Sequence, residues 1–295
     1  MANRADADRT LAFHADAIME NDNVSSISVI ELDTGESIIE IGLVEAETSA
    51  LLATPNELEI PDTANATGPV SVPVRKRVIG RIVAQSFTDK RRPALGGNSC
   101  GPAAADWSGT LGARIEYQGT YCILSNWHVL YGGVAANGDP IVQPASGDGG
   151  AAPGDTVAHN LSGVLDAYVD AALATVDKPV DQLVGEGTRC HGAITGIAAA
   201  TVGMGVRKCG RTTEATTGTV RSTNATVRVS GYPGGSRIFQ DQIQATAMSQ
   251  PGDSGSVVLD DKGRVIGLLF AGGPTDTFAN KIERVMEAFG ANVFG

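Results

Sequence analysis

From residue 93 onward this chain is a succession of short apolar runs, each stopped by a glycine turn, and that pattern leaves few folds open. Runs at 109–117, 121–125, 141–143, 156–160 and 167–175 read as strands, and 195–200, 206–210, 218–229, 242–246, 256–260 and 265–271 repeat the pattern. With 37 glycines, 13 prolines and only 5% aromatic residues, the composition favours turns and short strands over long helices. Short strands broken by glycine suit barrels, so the expected class is mainly β. One closing helix is expected over 279–289, with Ile282, Val285, Met286 and Phe289 on one face.

The first third reads differently. Residues 8–21 carry Leu11, Ala15, Ile18 and Met19 at helical spacing. Runs 26–32 and 37–44 flank Asp33-Thr34-Gly35-Glu36, which predicts a hairpin. A short helix is expected around Ala50 to Ala53, and one or two strands over 70–83. These elements predict a small α+β domain over residues 1–86. Thr88 to Pro93 is charged and ends in proline, so 87–92 reads as a linker and 93–295 as the main domain. The cations Arg75, Lys76, Arg77 and Arg81 stand out in an acidic chain and suggest a docking face, for a regulatory partner or for self-assembly, or else a solvated strand face.

Several function classes fall away on charge and hydropathy. A net charge of −11 argues against a nucleic-acid binder and against anionic membranes. No run of about 18 apolar residues predicts a transmembrane helix. The four cysteines, Cys100, Cys122, Cys190 and Cys209, form no Cys-x-x-Cys pair, so zinc is not expected, and no other cofactor is. The N-terminus has no apolar signal core, and the cytoplasm with reduced thiols is the expected setting. One bridge between Cys190 and Cys209 is the open alternative. Asp139, Asp148 and Asp155 lie in a glycine-rich stretch, 132–155, without EF-hand spacing, and read as an acidic surface loop.

Pro251-Gly252-Asp253-Ser254-Gly255-Ser256 carries the chemistry. A serine between two glycines can sit on a sharp turn close to a substrate. Successive amides, at Gly252 and Ser254, can point at one spot and stabilise an oxyanion, and the hole is expected at Gly252 and Asp253. Upstream, Ile123-Leu124-Ser125-Asn126-Trp127-His128 ends an apolar run in histidine. Between the two lies Val169-Asp170-Ala171-Ala172. The order His, Asp, Ser along the chain is that of one of the three common hydrolase triads.

Together these motifs resemble the trypsin-like serine peptidases of the chymotrypsin fold. The nearest resemblance is to bacterial members with an extra N-terminal domain, and more distantly to streptogrisins and to plant narrow-leaf trypsin-like proteins. It rests on Ile123 to Leu130, Gly138 to Gly150, Val169 to Ala172, Gly210 to Thr213 and Gly252 to Ser256, and covers roughly residues 93–295. It implies two antiparallel six-stranded barrels with the site in the cleft between them. It implies Ser254 as nucleophile, His128 as base and Asp170 as the carboxylate orienting the imidazole, with Asp166 as rival. It places Met248, Phe270, Ala271 and Gly272 in the substrate pocket. Met248 stands six residues before Ser254, where a carboxylate would select basic side chains. Asp253, tucked under the turn, needs a charge partner that the sequence does not identify. The implied activity is endopeptidase action on a protein or peptide. A catalytically silent binding module on the same fold is the alternative, and an esterase the third reading.

Overall fold

The computed structural model describes residues 2–46, 54–60, 70–78 and 86–290. The chain divides into two units, Met1–Gln85 and Ser86–Gly295.

In the first unit Asn3 accepts the amide of Asp6 and caps helix α1 (Arg4–Met19). Strands β1 (Val24–Glu31) and β2 (Ser37–Leu43) form the expected hairpin, with Gly35 at φ 77° in the turn. Strands β3 (Glu57–Ile60) and β4 (Val70–Val78) complete a sheet in the order β1-β2-β4-β3, β2 and β4 being parallel. Ala7, Leu11 and Ile18 pack with Ile39, Ile41, Leu58 and Val72. Met19, expected on the buried face, is exposed, because the buried stripe runs through Ala7, Thr10 and Ile18 instead. The cations of β4 are engaged within this unit. Arg75 and Arg77 both pair with Glu40 (2.8 and 3.3 Å), and Lys76 donates to the carbonyl of Thr54. Arg81, the helix expected at Ala50 to Ala53, and the end of the 70–83 strand lie outside the described residues.

The stretch expected as a linker is instead built into the second unit. Phe87 is buried and its carbonyl accepts the Ser99 amide. Arg92 donates to both the side chain and the carbonyl of Gln143, and Lys90 pairs with Asp155 at 2.6 Å.

Two β structures make up this unit. Strands β5 (Ala94–Gly96), β6 (Ser99–Pro102), β7 (Gly109–Thr110), β8 (Ala113–Tyr117) and β9 (Thr120–Ser125) lead to the one-turn helix α2 (Trp127–Leu130). Strands β10 (Pro140–Val142), β11 (Thr156–Leu165) and β12 (Asp170–Val176) follow, then helix α3 (Val180–Leu183) and β13 (Val184–Thr188), which pairs with β5. The resulting seven-stranded sheet runs β7-β6-β10-β11-β12-β9-β8. Its two edge strands, β7 and β8, are neighbours in the chain, so the sheet curls back on itself. The resemblance implied six strands here; the short β7 makes the seventh.

The second half is a closed six-stranded barrel in the order β14-β15-β16-β19-β18-β17. Its members are β14 (Gly205–Gly210), β15 (Glu214–Tyr232), β16 (Gly235–Thr246), β17 (Val257–Leu259), β18 (Val265–Gly272) and β19 (Asp276–Lys281), followed by α4 (Ile282–Phe289). The closing helix starts later than expected because 276–281 pairs with both β16 and β18 and closes the barrel. The strand expected over 195–200 reduces to one bridge, Ile197 with Val265. β16 meets β19 only from Ile243 on, so the outer part of the β15–β16 hairpin runs beyond the barrel.

Burial follows strand alternation. Ile123, Ala172 and Ala174 face the core of the first sheet. Cys122, Leu124, Ala171 and Leu173 face a second cluster shared with Val257, Leu268 and α4. The strands next to the cleft are therefore apolar on both faces. No helix among the described residues is long and apolar enough to cross a membrane.

Candidate active site

The register of β9 against β12 brings His128 and Asp170 together. Ala172 pairs with Ser125, so Asp170, two residues earlier, lies beside the first turn of α2. Asn126 fixes that corner by donating to the Asp170 carbonyl at 2.7 Å. The Asp170 carboxylate is wholly buried. One oxygen accepts the His128 amide at 3.1 Å, and the other faces His128 Nδ1 at 2.5 Å. Asn280 Oδ1 accepts the Asp170 amide at 3.0 Å, and the Tyr232 hydroxyl donates to the Asp170 carboxylate. Asp166 accepts the amides of Tyr168 and Val169, both at 2.7 Å, and so closes the turn ahead of β12. The remaining histidines are engaged elsewhere: His14 with the Glu59 carbonyl, His159 with Asp177, and His191 with the Lys208 carbonyl.

Ser254 stands on a turn that only glycine allows on either side. Gly252 and Gly255 both have φ 98°. A Cβ on Gly252 would overlap Thr212 Oγ1, and one on Gly255 would overlap Ser125 Oγ and the Thr110 carbonyl. The turn is thus pressed against β7 and β9 of the first sheet. Thr110 reinforces this by donating its amide to the Ser254 carbonyl and its hydroxyl to the Gly252 carbonyl, each at 2.8 Å. Ser254 and His128 line the same cavity. The Ser254 hydroxyl donates to the Phe270 carbonyl at 3.3 Å, and no hydrogen bond joins it to His128.

The expected oxyanion donors need one correction. The Asp253 amide is taken by the Gln250 carbonyl at 3.0 Å. The amides of Gly252 and Ser254 donate to no acceptor among the described residues, which makes that pair the available donors.

Asp253 has the partner that the sequence left unnamed. Its carboxylate accepts the amides of Thr212 (2.9 Å), Thr213 (3.0 Å) and Gln250 (2.9 Å) and the Thr213 hydroxyl (2.6 Å). Lys208 Nζ lies 3.2 Å away, and both side chains are fully buried. Burial works to raise the Asp253 pKa, but the Thr213 and Gln250 hydrogen bonds and the Lys208 charge hold it below the usual carboxylate range. For Lys208 burial wins over its partner, and its pKa is lowered. A signal was present in the sequence. In Val206-Arg207-Lys208-Cys209 the lysine shares the strand phase of Val206, the inward one.

The cavity measures about 750 Å³. Met248, Phe270, Ala271 and Gly272 all line it, joined by Thr216, Ser249 and Pro274. The Phe270 ring, however, packs on Phe239, with centroids 4.8 Å apart.

Two further expectations are revised. Cys190 and Cys209 form a disulfide rather than reduced thiols, linking the segment after β13 to β14. Cys100 and Cys122 are free and buried, and burial pushes their thiols up to about 12 and about 11. Asp148 is not a solvated loop carboxylate: it is nearly buried and accepts from Arg211, at 2.9 Å to Nε, and from Ser99. Among the described residues no cluster of three or more His, Cys, Asp or Glu stands ready for a metal.

Comparison with known proteins agrees with this architecture. The chain is similar in structure to protease A of Thermobifida fusca (20% identity, TM-score 0.52), over 68% of this chain and 97% of that one. It is similar to a glutamic-acid-specific serine protease (20% identity, TM-score 0.51, 68% and 98% covered). It is also similar to a Nocardiopsis protease (17% identity, TM-score 0.52, 68% and 98% covered). At these identities the likeness establishes a mainly β, chymotrypsin-like fold. The model of the trypsin-like peptidase domain matches residues 108–268, more than half of the 295 residues and the stretch that holds His128, Asp170 and Ser254, and the chain belongs to that family.

Proposed function

We propose that this protein is a serine endopeptidase. The observation that carries the reading is the buried Asp170 carboxylate holding His128 Nδ1 at 2.5 Å on a cavity that also contains Ser254. With Nδ1–H given to Asp170, the Nε2 lone pair is free to act as base. The Ser254 hydroxyl turns from the Phe270 carbonyl toward Nε2. Its oxygen then bonds to the scissile carbonyl carbon while its proton passes to His128. The oxyanion is held by the Gly252 and Ser254 amides. His128 gives the proton to the leaving amine as the C–N bond breaks, leaving an acyl-serine. Water attacks the acyl carbon, His128 takes its proton, and that proton returns to Ser254 as the acid departs.

One observation favours the second reading, a silent binding module: the Ser254 hydroxyl rests on Phe270 and not on His128. Labelling with a fluorophosphonate probe separates the two, since only an activated serine reacts. Labelling of the wild type but not of Ser254→Ala supports the peptidase. No labelling of either supports the binding module.

The cavity lining carries no permanent charge, and His128 is its one histidine. A buried unpaired lysine or arginine of a substrate would cost several kcal/mol there. Glutamate, for which one structural neighbour is named as specific, would find no cation. Cleavage is expected after medium apolar residues. Profiling sites in a denatured proteome, wild type against Ser254→Ala, checks this; a clear preference for Lys, Arg or Glu would refute it.

A further inference from the structure

The Asp170 carboxylate is fully buried, and among the described residues no lysine or arginine pairs with it. An ionised carboxylate in that position depends on its hydrogen-bond donors. There are three: the amide and Nδ1 of His128, and the Tyr232 hydroxyl. The first two come from the first sheet beside it. The third comes from the other half of the unit.

Tyr232 is the last residue of β15 and sits at the tip of the long hairpin, paired with Gly235. The hairpin leans on the first sheet on both sides of Asp170. Toward α2, Gly133 lies so close to Pro233 that a Cβ on it would come within 2.8 Å of that ring. Toward β12, the Gln240 amide donates to the Ala167 carbonyl at 2.7 Å and the Gln242 side chain to the Tyr168 carbonyl at 2.9 Å. The Tyr232 ring stands edge to face on His128, centroids 5.5 Å apart and planes at 75°. On its other side it touches Phe239, at 5.4 Å. Burial first, and then the Asp170 charge, push the phenol pKa up, so the hydroxyl stays a donor at any working pH.

We propose that Tyr232 is a positioning residue for the His128–Asp170 pair, its hydroxyl sharing the carboxylate oxygen that His128 Nδ1 uses and its ring bracing the imidazole. This rests on the peptidase reading for its kinetic consequence but not for its structural one. The hydroxyl fixes where that oxygen lies, and so the plane of the imidazole and the direction of Nε2. A tyrosine that merely finds an acceptor for a buried hydroxyl would leave those unchanged.

Tyr232→Phe in the full-length protein separates the cases, because it keeps the ring and deletes the donor. Two readouts are taken: kcat and KM on a peptide substrate, and the downfield proton resonance of His128 Nδ1–H, recorded also with Ser254→Ala. Loss of a hydrogen bond to a charged group is expected to lower kcat about tenfold, with KM within about twofold of wild type. The resonance is expected to move downfield as Asp170 turns its full acceptor strength to Nδ1. Tyr232→Ala, which also removes the ring, should lose more. An unchanged kcat overturns the proposal, and so does equal damage to KM and kcat with an unmoved resonance, which marks general loosening of the hairpin. If the wild type turns over no peptide, the peptidase reading fails on its own. The resonance then decides: movement supports the positioning role, and none overturns it.

Discussion

The two halves of the second unit contribute to the site in different ways. The curled first sheet supplies His128 and Asp170 from strand ends that are hydrogen-bonded neighbours, β9 and β12. Their meeting follows from one antiparallel register and one short helical turn. The closed barrel supplies Ser254 from a tight glycine turn, held partly by its neighbour Gln250 and partly by groups far along the chain. Lys208 reaches Asp253 across 45 positions, and the barrel also reaches back to Asp170 of the first sheet, with Tyr232 across 62 and Asn280 across 110. Strand pairing brings His128 and Asp170 together. The Ser254 turn rests on a buried ion pair, and the His128–Asp170 pair takes a further hydroxyl from the hairpin of the other half. The difference shows where each half should be fragile: the first at the His128–Asp170 pair itself, the second at Ser254 and also at the buried ion pair beneath its turn.

The largest effect should come from the reacting groups. Ser254→Ala and His128→Ala should each lower acyl transfer by about 10⁶-fold with the fold intact, since members of such a unit fail together. Asp170→Asn should cost about 10⁴-fold, by imposing the wrong imidazole tautomer. Asp166→Asn, at a turn, should cost little. A larger loss at Asp166 than at Asp170, by steady-state kinetics, would break the account of the first sheet.

Next come the supports of the barrel. Lys208→Met strands a buried carboxylate and should destabilise by about 3–5 kcal/mol, with loss of probe labelling as the Gly252–Ser254 turn loosens. A wild-type denaturation midpoint in this variant would show that the four hydrogen bonds to Asp253 suffice. The same pair sets an acid limit. The Asp253 pKa is depressed below its ordinary 3.8, so the stability it contributes is fully present above that value and is lost as pH falls through the still lower folded value. Thermal midpoints should therefore fall in strongly acid solution, below about pH 4, and the fall should be smaller in a Lys208→Met/Asp253→Leu double variant.

The Cys190–Cys209 bridge closes a loop of 19 residues. Opening it with Cys190→Ser/Cys209→Ser should cost about 3 kcal/mol, read as a lowered midpoint in urea. No difference between that variant and the wild type purified without reductant would argue that the bridge does not form in the native setting. Such bridges persist in oxidising compartments rather than in the cytosol.

The smallest effect should come from removing residues 1–85. Arg75 and Arg77 spend their charges on Glu40, which leaves less of a free basic face than the sequence suggested. Residues 86–295 alone should keep near-wild-type probe labelling, while solution mass reports any role of the first unit in assembly. A strong change in labelling would mean that the first unit contributes to the reactivity of Ser254.

Much of this was legible in the sequence because it depends on neighbours. Glycine on both sides of Ser254, the apolar run ending in His128 and the small residues after Asp170 are local signals, and alternation marked most strands. The hairpin at Gly35 and the closing helix face were readable for the same reason. The structure decided what distance along the chain conceals. It closed the barrel with Asp276–Lys281, a stretch without strong alternation that becomes a strand because β16 and β18 both lack a partner there. It gave Asp253 a lysine, engaged the Asp253 amide while leaving those of Gly252 and Ser254 with no acceptor among the described residues, and brought Tyr232 over Asp170. A sequence states which groups are able to bond and how neighbouring residues alternate. Which buried charge meets which donor is settled only when the sheets close, because burial is what makes an unpaired polar group costly enough to demand a partner.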